Sequence, residues 1–147
     1  MTKTIYILNG PNLNLLGQRE PEIYGSQTLS DIESACRESA KAQGYSLEFR
    51  QSNIEGEIVD HIQEAGAKGC ALIINPAAYT HTSVALHDAL KAISIPSVEV
   101  HLSQPAKRES FRQRSFVSEA VTGTISGFAA DSYQLGLQAV INLLKTS

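Results

Sequence analysis

The chain offers little from which a cofactor site, a membrane anchor or a disulfide frame can be built. Its 147 residues include only two cysteines, Cys36 and Cys70, isolated and without CxxC spacing. Cys36 falls in a helical pattern and Cys70 opens a strand-like run, so both read as buried free thiols rather than as a metal site or a disulfide. No apolar run approaches the ~20 residues that span a bilayer, and the N-terminus lacks a secretory pattern, so a cytoplasmic protein without a membrane partner is expected. Lys and Arg form no run and the net charge is −3, which argues against a nucleic-acid partner. GxGxxG after the first strand, GxxxxGK[ST] and GxSxG are all missing, which speaks against a dinucleotide site, a P-loop and a hydrolase serine. The first strand does not end in paired acids, as a Mg²⁺-dependent phosphoacceptor would need. His81 and His87 stand six apart, on different helix faces, and are not placed to share a metal. No cofactor and no metal are expected.

What the chain does have is alternation. With 42% hydrophobic and 18% charged residues it reads as one globular domain over residues 1–147. Strand-like runs recur at Thr4–Asn9, Ser46–Gln51, Cys70–Asn75, Ser97–His101 and Val121–Gly127. Helical spacing links Leu29, Ile32, Cys36 and Ala40; then Ile58, Ile62 and Ala65; then Leu86, Leu90 and Ile93; and finally Leu137, Val140, Ile141 and Leu144. Ser30 with Glu33 is the expected capping box of the first helix and Gly44 its stop, while Gly66 or Gly69 ends the second. The pattern predicts an α/β fold: a doubly wound, five-stranded parallel sheet, order 2-1-3-4-5, covered on both faces.

In such sheets ligands bind beyond the carboxyl ends of the strands, where strand order reverses. Here the reversal lies between strands one and three. The segments leaving them, Asn9–Gly25 and Asn75–Ser83, together with the end of strand four, bring Asn12, Arg19, Tyr24, Asn75, His81, Glu99 and His101 to one rim. The stretch from Asn9 to about Thr28 shows no helical or alternating period, and long irregular loops are more often functional than not. Turn chemistry explains Asn9-Gly10-Pro11 equally well. Three asparagines provide uncharged donors and acceptors for a carbonyl or hydroxyl. His101 is the natural proton carrier, with Glu99 two residues earlier on the same strand face to fix its tautomer. Tyr24 is the candidate base, with Arg19 in the same loop as the cation a tyrosinate requires. The bland readings are a polar pair at a strand end and a tyrosine anchoring the loop.

Asn9-Gly10-Pro11-Asn12-Leu13-Asn14-Leu15-Leu16-Gly17, then Arg19-Glu20-Pro21 and Tyr24-Gly25, resembles the N-terminal signature of the type II 3-dehydroquinate dehydratases, or type II dehydroquinases. Gln51-Ser52-Asn53-Ile54-Glu55-Gly56, Ile74–Ser83, Val98-Glu99-Val100-His101-Leu102-Ser103, Arg108–Arg112 and Gly123–Phe128 continue the match along the whole chain. The resemblance implies a flavodoxin-like fold and a cofactor-free hydro-lyase of the shikimate pathway, in biosynthesis or in quinate breakdown. It converts 3-dehydroquinate to 3-dehydroshikimate by anti elimination through an enolate. It further implies Tyr24 as the tyrosinate base, Arg19 lowering its pKa, Asn12 holding the enolate oxygen through a water, and His101, oriented by Glu99, protonating the departing hydroxyl. Asn75, His81, Asp88 and Arg112 would grip substrate, with Leu102 and Ser103 at its carboxylate. The family assembles as trimers into dodecamers, and Asp88 would then serve its own or a neighbouring subunit's site. His87, where the family often has Arg, and Gln104-Pro105 depart from the pattern; His87 reads as a surface or contact residue, and the Gln104 loop's shape is left open. Arg108 is left open between a structural anchor of that loop and a substrate contact. A binding domain for quinate-like ligands on the same fold is the alternative, and a retained acid and base speak against it.

Overall fold

A computed structural model describes residues 2–18, 20–24 and 26–146, excluding the Tyr24 side chain. Arg19, Gly25 and the Tyr24 side chain, on which the base assignment depends, lie outside the described residues. The sheet has the expected flavodoxin-like order, with β1 (Thr4–Asn9) between β2 (Ser46–Gln51) and β3 (Ala71–Asn75), then β4 (Ser97–His101) and β5 (Gly123–Ser126), all pairs parallel. Three strands start and stop where the sequence predicts. β3 begins one residue later than expected, and β5 loses Val121, Thr122 and Gly127; Val121 packs instead against the core beneath it.

Both faces of the sheet are covered because β1 and β3 are apolar on both sides. Ile5, Ile7, Ile73, Val98 and Val100 pack against α2 (Leu29–Ala42) and α5 (Asp131–Thr146). Tyr6, Leu8, Leu72 and Ile74 pack against α3 (Glu55–Lys68) and α4 (Val84–Lys91). Each full-length helix presents its predicted apolar spacing to the sheet. Ile93 is the exception: α4 has ended by Lys91, and the side chain packs from the following turn. Gly66 lies inside α3, which continues to its cap at Gly69.

Two local expectations are corrected. The box at the start of α2 is Thr28 with Asp31, not Ser30 with Glu33. Thr28 Oγ1 accepts the Asp31 N–H at 3.1 Å, and Asp31 Oδ2 accepts the Thr28 N–H at 3.0 Å. The helix begins at Leu29, so Ser30 is already inside it. The loop before it is also less irregular than its sequence suggests, since Pro21–Tyr24 forms one helical turn, α1. A proline at the first helical position, its ring pre-set for helix and its missing N–H not needed, starts that turn.

One polar cluster ties α3 to the sheet. Arg50 of β2 meets Glu64 through two bonds of 2.9 and 2.6 Å, and the Tyr6 hydroxyl donates to Glu64 at 2.7 Å. The Arg50 and Tyr6 bonds hold the Glu64 carboxyl down at about 2. A depressed carboxylate adds stability above its ordinary value near 4.5 and loses that contribution as pH falls toward about 2. Glu64→Gln should therefore flatten the fall in stability across that window, measured by urea unfolding at stepped pH. An unchanged slope would show that the cluster contributes nothing.

Candidate active site

The strand-order reversal builds the site by bringing two loops into contact. Gly10, just after β1, donates its N–H to the Asn75 carbonyl at 2.8 Å. A Cβ there would lie 2.4 Å from the Pro76 carbonyl oxygen, so only glycine lets the loops approach this closely. Asn12 follows with φ of 69°, a left-handed conformation that asparagine tolerates. Its N–H is tied to Asn53 Oδ1 at 3.0 Å, while its carboxamide has no hydrogen-bond partner among the described residues.

These loops open onto a small cleft. Asn12, Asn75, His81, His101, Leu102, Ser103 and Arg112 all line it. Glu99 stands behind His101 instead of in the cleft. Asp88 is exposed on α4 and does not line the cleft of its own chain. Arg108, whose role the sequence leaves open, both lines the cleft and donates to Ser103 Oγ at 3.2 Å. No carboxylate lines the cleft among the described residues, although exposed Glu109 partly offsets Arg112 at 2.9 Å. The cleft thus favours an anionic ligand. The loop segment bearing Tyr24 borders this space, since Ile23 lines a groove together with Ser103 and Arg108.

Glu99 and His101 face the same side of β4, and His101 Nε2 meets Glu99 Oε2 at 2.5 Å. Glu99 is fully buried and His101 only 8% exposed. Burial alone would push the Glu99 carboxyl up. The His101 bond and charge, with hydroxyl bonds from Ser118 and Thr80, outweigh it and hold the carboxyl below its usual range. Nε2 is therefore committed to Glu99, and Nδ1, with no hydrogen-bond partner among the described residues, is the nitrogen left for the cleft.

His81 is poised differently. Its Nδ1 lies 2.7 Å from the Arg114 carbonyl, which can only accept. Burial pushes the ring's pKa down, and the Arg112 charge adds to this against the Arg114 bond. A neutral ring with the proton on Nδ1 presents Nε2 as an acceptor for a ligand hydroxyl.

Asn75 is held by residues that sequence reasoning missed. Its Oδ1 accepts the Ala77 N–H at 3.1 Å, and its Nδ2 donates to the Tyr133 hydroxyl at 2.9 Å. Tyr133 in turn donates to Asn9 Oδ1 at 2.6 Å. The one sequence signal was a tyrosine on the buried face of α5, whose hydroxyl must find a partner. Tyr133→Phe leaves two buried amides short of a bond, costing about 2–4 kcal/mol. It also frees Asn75 to turn, so substrate KM should rise several-fold; a variant with unaltered KM would remove Tyr133 from the site.

A family model described as dehydroquinase class II matches residues 3–141. The 3-dehydroquinate dehydratase of Phenylobacterium zucineum is 59% identical over 99% of this chain and all of its own length. The type II dehydroquinase of Butyrivibrio crossotus superposes with a TM-score of 0.93 at 39% identity, over 95% of this chain and 98% of that one. The type II dehydroquinase of Propionibacterium acnes gives 0.91 at 41% identity, over 99% and 98%.

Proposed function

The chain belongs to the class II dehydroquinases, the 3-dehydroquinate dehydratases of the shikimate pathway, and from that premise we propose how its own cleft removes water from 3-dehydroquinate. The reaction is an anti elimination through an enolate. Tyr24, as tyrosinate, takes the C2 proton, and Arg19 holds the phenol ionised. Asn12 steadies the enolate oxygen through a water, and His101 Nδ1 protonates the C1 hydroxyl as it leaves. Asn75, His81 and Arg112 bind the substrate's hydroxyls and carboxylate, with Leu102 and Ser103 at the carboxylate. Abstraction beside a ketone followed by loss of hydroxide needs one base, one oxyanion partner and one acid, the roles this reading gives to Tyr24, Asn12 and His101.

The observation that carries this reading is the Glu99–His101 pair, because a buried carboxylate locked onto one ring nitrogen prepares the other to donate. A binding domain has no use for it. The protein acts as a single cytoplasmic domain assembled into dodecamers of four trimers. Asp88, exposed and away from its own cleft, then contacts the site of a neighbouring copy. Among the described residues no helix is long and apolar enough to cross a membrane. The test is direct: purified protein mixed with 3-dehydroquinate should produce the ultraviolet absorbance of the product enone. Binding without that absorbance would leave only the sensor.

A further inference from the structure

The elimination chemistry uses Glu99 and His101 but gives no account of what surrounds Glu99. Four hydroxyls from three separate segments close on this carboxylate. Thr80 Oγ1, from the 3-10 turn Ala77–His81, donates to Oε2 at 2.5 Å. Ser118 Oγ donates to Oε1 at 2.5 Å, and Thr124 Oγ1 of β5 lies 3.2 Å from the same oxygen. Ser115 Oγ is 3.3 Å from Oε2 but 2.6 Å from Thr80 Oγ1. Thr80 spends its single proton on Glu99, so Ser115 donates to Thr80 and polarises it further. Arranging four hydroxyls around one buried acid takes three chain segments, and an apolar cavity wall would not need it.

The charge state of Glu99 decides what kind of acid His101 is. While Glu99 is an anion, the proton in their contact stays on Nε2, and a ring protonated at both nitrogens readily gives up its Nδ1 proton. If that proton moves to Glu99, the ring is neutral, and donation from Nδ1 would then have to generate imidazolate. That is a far poorer acid for a departing hydroxide. Resting on the function proposed above, we propose that Thr80 and Ser118 are positioning residues for the elimination: their hydroxyls hold Glu99 as the anion, so the proton in its contact with His101 stays on Nε2. The charged and titratable groups around the pair are His81 on the 3-10 turn and Arg108 and Arg112 on the connection after β4. β3 and β5 contribute none.

The test compares Thr80→Val, Thr80→Ser and Ser118→Ala. Thr80→Val and Ser118→Ala should each lower kcat about tenfold, as expected for loss of one bond to a charged group, with KM within about twofold. In both, the lower apparent pKa of the kcat profile should rise, because the anion has lost a donor. Thr80→Ser, which keeps the hydroxyl, should restore most of the rate. Nitrogen-15 NMR of His101 in the ligand-free protein should show Nε2 losing its proton in Thr80→Val but not in Thr80→Ser. Equal behaviour of Val and Ser, a loss confined to KM, or an unmoved profile would overturn the proposal. Ser118 is exposed, so its alanine variant decides the matter if Thr80→Val fails to fold. Because the NMR arm needs no turnover, failure of the cage is distinguishable from failure of the dehydratase reading, which a wild-type chain producing no enone would show.

Discussion

Tyr24→Phe is expected to lower kcat by about three orders of magnitude while the chain folds as before. Positioned bases contribute about 10²–10⁴ to such reactions, and a phenyl ring leaves only water to take the C2 proton. The fold should tolerate the change because α1 is a single helical turn, and its described side chains, Pro21, Glu22 and Ile23, belong to neither core. The same argument fixes the sign of a pH effect. An ordinary phenol ionises near 10, so a tyrosinate at neutral pH requires a shift of about 2–3 units from a nearby cation. Arg19→Ala should therefore abolish most activity at pH 7 and regain part of it above about pH 9, where the phenol ionises unaided. Enone absorbance measured across pH checks both variants. A phenylalanine variant of near-normal rate would remove Tyr24 as base.

How much of this was legible in the chain depends on the range of the interaction. β1 could be read to the residue because Thr4–Asn9 is an uninterrupted apolar, β-branched run ending at Gly10-Pro11. The rim residues Asn12, Asn75 and His101 could be placed together because strand order alone decides which loops meet. α1 was invisible to periodicity, since four residues complete barely one turn and only Pro21 announces it. The capping box went astray by two positions because serine and threonine both suit a cap, and register alone separates them. Tyr133 and the hydroxyls around Glu99 were beyond reach for a different reason. Tyr133 meets Asn75 across 58 residues and Thr124 meets Glu99 across 25. A lone hydroxyl in a sequence carries no local mark of the partner that folding gives it.

His101→Ala is the second variant with a large expected effect, and it separates the two halves of the reaction. In a stepwise elimination the enolate forms first and the hydroxide leaves second, so each half has its own proton carrier. Deleting the imidazole removes the donor from the cleft and leaves Glu99 a buried carboxylate without its ring partner. It leaves the base and its cation untouched. Overall dehydration should fall about 10³-fold, since an unprotonated hydroxide is a poor leaving group. Exchange of the C2 proton with solvent deuterium should persist at a substantial fraction of the normal rate, because the enolate still forms and collapses back. Proton NMR of 3-dehydroquinate in D₂O reads exchange, and ultraviolet absorbance reads dehydration, in the same sample. Loss of both steps to the same degree would mean that His101 acts before the enolate, and the division of labour between phenol and imidazole would have to be abandoned.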